Sequence, residues 1–435
     1  MNKTKDEQAN KTIRIIRADG NREFKFINAL GSRDDQISSV IDNTVFQIIK
    51  SVREDGDTAL FRYEKELGGE STPETIELTR EDMKTAYENI DEDFREAIIA
   101  ASSNIKKYHE KQKQTGYETK DENGCILGQV VRGLERVGIY VPGGTAAYPS
   151  TVLMNAIPAK IAQVGEIVMA TPRKNHNILA AAFVAGVDRV FIAGGAQAVA
   201  AFAYGTETVP QVDKIVGPGN AYVASAKKQL YGIVDIDMIA GPSEILIMAD
   251  ESATPKFLAA DLLSQAEHDK MSASVLLTVD PKIAEETEKE LAAQLDKLER
   301  SDFASLAIDN NGAIILCRSE DEMVHLANLI APEHLEIMME NPLGLIPEIK
   351  NAGSVFCGEY SPEPLGDYYS GTNHVLPTSG TARFASPLGV YDFVKKMSYT
   401  YYTKDALYDA KDAIVKIGEV EGLTAHVNSV KIRFE

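Results

Sequence analysis

The stretch VGIYVPGG at 137–144 is an apolar run that ends in two glycines, and similar runs return further along the chain. They are EIVMA at 166–170, RVFIA at 189–193 and DKIVG at 213–217. Segments with a helical pattern follow these runs, at 145–163, 177–187, 196–205 and 220–231. Strands that alternate with helices at this spacing predict βαβ units and a parallel, doubly wound sheet.

The alternation begins again near residue 240. Predicted strands lie at 244–249, 274–279, 312–317, 334–339 and 353–357. Predicted helices lie at 255–269, 281–299, 319–329 and 342–349. Two such series in one chain predict an α/β fold with two lobes.

The two ends of the chain depart from this pattern. Residues 1–30 are expected to form an extended N-terminal arm with one strand at 12–16, and 34–114 show helical periodicity. The C-terminal extension, 389–435, is expected to hold a helix at 405–416 and a final strand at 429–434.

Composition limits the classes of function. Lys and Arg number 45 against 65 Asp and Glu, and the net charge of −20 disfavours nucleic acid and anionic membrane surfaces as partners. The chain shows no unbroken apolar run of about 20 residues for a membrane span, and its N-terminus lacks the apolar core of a signal peptide. A cytoplasmic location is therefore expected. Cys125, Cys317 and Cys357 form no C-x-x-C pair, so they are expected to be structural and any metal to use nitrogen and oxygen ligands.

Glycine-rich turns are expected at the ends of four predicted strands, at 143–144, 194–195, 217–219 and 241–243. Ligands of open α/β sheets bind outside the carboxyl ends of the strands, and glycine there lets the backbone approach a phosphate closely. The motifs G-x-G-x-x-G and G-x-x-x-x-G-K-[ST] are both missing from the sequence. The turns predict a crevice for a small anionic or nucleotide ligand without specifying it.

Two short motifs combine histidine with a second polar residue. In SQAEHD, Gln265 and His268 are three residues apart on a predicted helix, so they either share a divalent ion or simply end the helix. In APEHLEI, Glu333 and His334 lie at the edge of a predicted strand. They are either a general acid/base pair or an ordinary strand start whose charged residues face solvent.

Two further segments carry candidate residues. The stretch 362–380 has the composition of a loop. In one interpretation Asp367 binds a metal and His374 binds an anion; in the other, the stretch is only a long connection without a function of its own. Glu421 and His426 lie close together near the C-terminus. The residues alone indicate an α/β enzyme with a ligand crevice. They allow a metal bound by nitrogen and oxygen atoms but do not require one, and they do not identify the reaction.

Eight motifs together resemble the histidinol dehydrogenase family in order and spacing, from about residue 20 to the C-terminus. They are VGIYVPGG, GGAQAVAAFAYGT, KIVGPGNAYV, AGPSEILI, LLSQAEHD, APEHLEI, GDYYSGTNHVLPT and GLTAHVNSV. The resemblance implies oxidation of L-histidinol through L-histidinaldehyde to L-histidine, the last step of histidine biosynthesis. It also implies two NAD⁺ per turnover, one zinc ion per site and a homodimer with shared active sites.

The resemblance assigns roles to individual residues. The implied zinc ligands are Gln265, His268, Asp367 and His426, with His426 supplied by the second chain of the dimer. His334 would be the catalytic base, and Glu333 would activate water. The implied substrate contacts are Ser243, Gln265, His268, His334, Asp367, His374, Glu421 and His426. The implied NAD⁺ contacts are Tyr140, Gln197 and Asn220.

The family architecture implies two lobes with Rossmann-like parallel sheets, an N-terminal arm and a C-terminal extension. We expect 31–138 and 243–388 to form the first lobe, 139–242 the NAD-binding lobe and 389–435 the dimerisation extension. The alternatives are a related zinc- and NAD-dependent dehydrogenase of another small alcohol, such as a sulfonated diol, a metal-binding paralogue without turnover, and a zinc hydrolase that does not depend on NAD⁺.

Overall fold

The computed structural model describes residues 13–31, 39–69, 71–143, 148–239 and 241–435. The strands of this part of the chain are β1 (Arg14–Arg17), β2 (Glu77–Leu78), β3 (Tyr117–Lys120), β4 (Ile126–Gly133), β5 (Arg136–Tyr140), β6 (Glu166–Thr171), β7 (Arg189–Ile192), β8 (Lys214–Val216), β9 (Asp235–Ile236), β10 (Glu244–Ala249), β11 (Ala273–Thr278), β12 (Ala313–Leu316), β13 (His334–Met338), β14 (Ser354–Cys357) and β15 (Val394–Tyr401).

Helices connect most of these strands. The α-helices are α1 (Arg22–Gly31), α2 (Ser39–Asp55), α3 (Asp57–Glu66), α4 (Arg80–Glu88), α5 (Glu92–His109), α6 (Pro149–Ile161), α7 (His176–Ala185), α8 (Gly195–Tyr204), α9 (Ala221–Leu230), α10 (Pro255–Ala266), α11 (Pro281–Leu295), α12 (Ser301–Asn311), α13 (Glu320–Ile330), α14 (Glu363–Tyr368), α15 (Lys404–Val420) and α16 (Thr424–Lys431). Short 3₁₀ helices lie at Glu110–Gln112, Pro342–Glu348, Thr381–Arg383, Val390–Phe393 and Ile432–Phe434.

The first sheet has the strand order β2-β7-β6-β5-β8-β9. Its strands pair in parallel except for β2, which runs antiparallel to β7 at the edge. Alternate residues of β6 supply the cores on the two faces: Ile167 and Met169 pack on one side, and Val168 and Ala170 on the other. Because helices cover both faces, the strand reads as a continuous apolar run, and the predicted doubly wound sheet is confirmed.

The second sheet has the strand order β1-β12-β11-β10-β13-β14, and all of its pairs are parallel. On β10, Leu246 and Met248 face the core shared with α1 and α13, whereas Ile245 and Ile247 face the core shared with α10, α11 and α12. The predicted α/β fold with two parallel sheets is therefore confirmed.

The predicted strand at 12–16 is confirmed in its described part, since β1 spans Arg14–Arg17, but the residues that follow it do not form an extended arm. Strand β1 joins the edge of the second sheet beside β12, and helix α1 follows directly. Phe26, Ile27 and Leu30 of this helix are buried in the second sheet's core, which explains why the segment folds back instead of extending. Residue 12, the first residue of the predicted strand, lies outside the described residues.

The predicted final strand at 429–434 is also wrong, because this segment forms the end of α16 and a 3₁₀ turn. Val427 is buried and packs against α15 beside Gly418, where a Cβ would lie 2.8 Å from Val427 Cγ2. The sequence SVKIRF alternates like a strand, but helical hydrogen bonds and packing on α15 decide its structure. The predicted helix at 342–349 is a 3₁₀ helix, whose Pro347 lacks an amide hydrogen.

The expected grouping of 31–138 with 243–388 needs a correction. Helices α2 and α3 pack on one face of the first sheet, α4 and α5 on its other face, and β2 pairs with β7. Strands β3 and β4 form a separate antiparallel sheet with β15 of the C-terminal extension. Within the described ranges, no helix is long and apolar enough to cross a membrane.

Candidate active site

The candidate residues lie at opposite ends of the strands in the two sheets. In the first sheet they follow the strands: Tyr140 ends β5, and Asn220 follows β8. In the second sheet they precede the strands: Ser243 stands just before β10, and His334 opens β13. The turn at 241–243 therefore lies at an amino end, which corrects the expectation that it follows a strand.

The loop after α14 connects these two edges. Thr151 Oγ1, in the first turn of α6, lies 3.4 Å from His374 Nε2, and His374 Nδ1 lies 4.0 Å from Asp367 Oδ1. The Gly241 amide donates a hydrogen bond of 2.7 Å to Thr378 Oγ1. The carboxyl edge of the first sheet and the amino edge of the second thus meet through this loop.

His334 is buried with its two ring nitrogens in different surroundings. Nδ1 lies 3.1 Å from the carbonyl oxygen of Glu244, which can only accept, so Nδ1 carries the ring proton. Nε2 has no hydrogen-bond partner among the described residues and lies 3.7 Å from Glu363 Oε1. Burial lowers the pKa of His334 to about 4, against the opposing effect of Asp367. At neutral pH the ring offers an unprotonated Nε2, which suits a base or a metal ligand.

Glu333 lies on the Nδ1 side of His334. Its Oε2 accepts a hydrogen bond of 3.0 Å from the Glu244 amide and lies 3.6 Å from His334 Nδ1. Burial raises the pKa of Glu333 well above its usual range. The pair is adjacent and buried, so it is no solvent-facing strand start.

Three further carboxyl groups belong to this site, and the sequence reasoning missed them. Glu363 opens α14 and is buried, and burial together with Asp367 raises its pKa to about 9. Its amide donates a hydrogen bond of 2.8 Å to Glu336 Oε1. Burial and the charge of Asp261 on α10 both raise the pKa of Glu336, and burial raises the pKa of Asp261 to about 6. A signal for Glu336 was present, since it is a charged residue inside the buried run HLEIM.

Several donor atoms could hold a metal here. One ligand atom each from His334, Glu363 and Asp367 lies within 4.8 Å of the others, and no fourth His, Cys, Asp or Glu of the described chain joins them. Gln265 is 1% exposed, and neither its amide oxygen nor its nitrogen has a hydrogen-bond partner in the described part of the chain. A buried amide left unpaired is costly, so an additional ligand at this position is expected.

The other expected ligands lie further out. His268 follows the end of α10 and is exposed, although its charge is one of the factors that lower the pKa of His334. His426 is exposed on α16, and Glu421 is exposed at the C-terminal end of α15. The described chain therefore does not place His268 or His426 in the cluster of His334, Glu363 and Asp367.

The expected cofactor contacts surround the turn before α8. The Tyr140 hydroxyl accepts a hydrogen bond of 3.0 Å from the Gly195 amide, and Gln197 Nε2 donates one of 2.9 Å to Glu64 Oε1. Asn220 caps α9 through its side-chain oxygen, which leaves its amide nitrogen for another contact. Gly195 has a φ of 62°, in the left-handed region that favours glycine.

The cysteines take no part in this arrangement. Cys125 and Cys317 are buried, Cys357 is half-buried, and all three are free thiols. Burial raises the pKa of Cys317 to about 12 and also raises that of Cys357. A thiol with a raised pKa is a poor nucleophile, which agrees with the expected structural role.

Comparison with known proteins gives a consistent result. The model of the histidinol dehydrogenase family matches residues 31–434. The histidinol dehydrogenase of Clostridium acetobutylicum is 52% identical over 428 residues, covering 97% of this chain and 99% of that protein. That of Listeria innocua is 53% identical over 402 residues, covering 92% and 94%. The crystal structure of histidinol dehydrogenase from Elizabethkingia anophelis superposes with a TM-score of 0.90 at 37% identity, covering 97% and 98%.

Proposed function

The chain belongs to the histidinol dehydrogenase family of oxidoreductases, and we propose that it oxidises L-histidinol through L-histidinaldehyde to L-histidine with two NAD⁺ and one zinc ion. The observation that carries this proposal is the buried His334, whose unprotonated Nε2 stands where the edges of the two sheets meet. Each relative named above is a histidinol dehydrogenase, so a different small alcohol is not favoured as the substrate.

His334 would act as the base in both oxidations. Bound NAD⁺ would supply the hydride acceptor. His334 Nε2 would take the proton from the alcohol as the hydride leaves, and the Glu244 carbonyl would keep the ring oriented and stabilise the imidazolium that forms. Because the resting ring is neutral at pH 7, no proton has to be removed from it first.

Glu333 would activate the water that adds to the aldehyde. Its carboxylate is a stronger base than an exposed one once it is ionised, because burial raises its pKa. The hydrogen bond from the Glu244 amide holds one carboxyl oxygen, Oε2, in place. Glu333 and His334 are therefore fixed to the same strand edge but serve different proton transfers.

The residues proposed to hold the zinc are Gln265, His268, Asp367 and His426. The unpaired amide of Gln265 and the grouping of Asp367 with buried donors support this set. Nitrogen and oxygen donors suit zinc, which when bound would position the substrate's amine and imidazole. Ser243, beside the start of β10, and His374, beside Asp367, would complete the substrate contacts of the same chain.

His426 and Glu421 would come from a second copy of the chain. Both residues are exposed at the C-terminal end, and neither contributes to the buried cluster of its own chain. Helix α15 also exposes apolar side chains, with Ile417 at 62% and Val420 at 78% exposure. Large exposed apolar side chains on one helix mark a protein interface, so we propose a homodimer with shared sites.

NADH formed per L-histidinol consumed is the measurement that tests the proposal. Two NADH per L-histidinol, lost on chelation and restored by zinc, would support the reaction, the cofactor and the metal together. One NADH would contradict the role given to Glu333. No NADH from folded, zinc-supplied protein would overturn the proposed substrate.

A further inference from the structure

Glu64 is a buried carboxylate beneath the proposed cofactor site. It lies on α3, which packs against the first sheet, and it is 4% exposed. Its Oε1 accepts two hydrogen bonds, one of 3.0 Å from the Gly194 amide and one of 2.9 Å from Gln197 Nε2. Both donors belong to the turn that opens α8, so a residue 130 positions earlier in the chain fixes this turn.

The amides of the N-cap residue Gly194 and of Gly195, the first residue of α8, are therefore already occupied. Gly194 donates to Glu64, and Gly195 donates to the Tyr140 hydroxyl. Free amides at a helix N-terminus form a ready binding site for a phosphate, but these two are taken by side chains of the protein. A dinucleotide that binds beside α8 would have to be recognised there by something other than these amides.

Gln197 supplies a different group. Because its Nε2 donates to Glu64, the amide is oriented with its oxygen on the other side. This Oε1 is buried and accepts no hydrogen bond from the described residues, and the residue as a whole is 2% exposed. A Cβ at position 195 would lie 2.7 Å from the same oxygen, so the glycine leaves the space that this orientation needs. An unpaired buried acceptor is costly unless a ligand donates to it.

We propose that Glu64 is a positioning residue of the cofactor site, which holds Gln197 so that its amide oxygen accepts from a hydroxyl or amide group of the dinucleotide. Glu64 itself does not touch the cofactor. This inference rests on the proposed use of NAD⁺. It assigns Gln197 the part of an acceptor and excludes the amides of Gly194 and Gly195 as a phosphate site.

Two conservative variants separate geometry from charge. In Glu64→Gln, the amide oxygen can still accept both hydrogen bonds, so we expect the Kd of NAD⁺ to stay within about threefold of the wild type. In Glu64→Asp, the charge is kept but the carboxylate is one methylene shorter and cannot reach both donors, so the Kd should rise about tenfold. Calorimetric titration of the full-length protein with NAD⁺ measures both, without turnover.

Glu23→Asp is the matched control. Glu23, in the first turn of α1, is likewise a buried glutamate whose carboxylate accepts hydrogen bonds from backbone amides, those of Asp19 and Gly20. It differs from Glu64 in lying beside the second sheet. Its shortening should leave the Kd of NAD⁺ unchanged. In a Gln197→Ala background, Glu64→Asp should have no further effect on that Kd, since the oriented side chain is gone.

Steady-state kinetics give the second readout. Glu64→Asp should raise the KM for NAD⁺ while the KM for L-histidinol stays unchanged, whereas general loosening of the fold would alter both. Two results would overturn this inference but not the proposed function: an unchanged Kd of NAD⁺ in Glu64→Asp, or a rise in that Kd caused by Glu64→Asp that is equally large in the Gln197→Ala background. Failure of the wild-type protein to bind NAD⁺ at all would overturn the proposed function, and this inference with it.

Discussion

His334 Nδ1 lies 3.1 Å from the carbonyl oxygen of Glu244, the first residue of the neighbouring strand β10. The parallel pairing of β10 with β13 sets Ile245 opposite His334, so the sheet itself brings the carbonyl to the ring. A carbonyl cannot donate, and the ring proton is therefore held at Nδ1. The sheet in this way leaves Nε2 as the reactive nitrogen, on the side where Glu363 and Asp367 lie.

His334→Asn should suppress both oxidation steps. The asparagine amide can still donate to the Glu244 carbonyl, but it offers no base, so kcat should fall by about 10²- to 10⁴-fold from either L-histidinol or L-histidinaldehyde. His325→Asn, an exposed histidine on α13, is the control and should leave kcat unchanged. A kcat within threefold of the wild type in His334→Asn would assign the base to another residue.

Glu333→Gln should mainly slow the aldehyde step. The side-chain oxygen can still accept from the Glu244 amide, so the strand edge should stay in place while the base for water is lost. We expect about a 10²-fold loss with L-histidinaldehyde as substrate and a much smaller loss in the first hydride transfer. Single-turnover formation of NADH separates the two steps. Equal losses in both would count against a separate role for Glu333.

Glu363 should make the metal-free protein less stable as the pH rises from about 4.5 to about 9. Its pKa is raised to about 9 in the folded chain, from 4.5, chiefly by burial. Between these pH values Glu363 has lost its proton in the unfolded chain but keeps it in the folded chain. The free energy of unfolding therefore falls by at most about 1.4 kcal/mol for each pH unit. Below and above this window the contribution is constant.

Glu363→Gln is the variant that tests this pH dependence. Its neutral amide should flatten the fall in the free energy of unfolding, measured with urea on chelator-treated protein at several pH values from 5 to 9. Glu340→Gln, an exposed glutamate, should keep the wild-type slope. The same slope in Glu363→Gln and wild type would mean that Glu363 is ionised in the folded chain at neutral pH.

The sheets were predictable from the sequence because their strands are buried on both faces. A run such as 166–170 shows no alternation with polar residues, as expected of a strand buried on both faces. The helices between the strands of the first sheet lie near their predicted bounds, whereas α12 was not predicted and 342–349 forms a 3₁₀ helix. The segment 429–434 was mispredicted for the opposite reason. Its alternating pattern is weak and local, and packing of Val427 against α15 decides that it is helical.

The candidate site was predictable only where residues lie in recognisable motifs. His334 and Glu333 are neighbours in sequence, and their burial agrees with a role beyond a strand start. Glu64 and Gln197 are 133 residues apart, and nothing in the local sequence of α3 indicates that they meet. The packing of α3 on the first sheet brings them together, so the pair could be found only from the tertiary structure.

The proposed dimer with shared sites predicts recovery of activity between two inactive variants. His268→Ala and His426→Ala should each be inactive alone, because each removes one proposed zinc ligand from both sites. If His426 acts across the dimer, a mixed dimer carries both changes in one site and none in the other. Random pairing of equal amounts makes about half of the dimers mixed, so the mixture should regain about a quarter of the wild-type activity and bind zinc in proportion.

The mixture has to be refolded or co-expressed, so that the chains exchange. Each variant refolded alone is the control. If both histidines instead serve the site of their own chain, both sites of the mixed dimer carry one change, and the activity should stay at the level of the single variants.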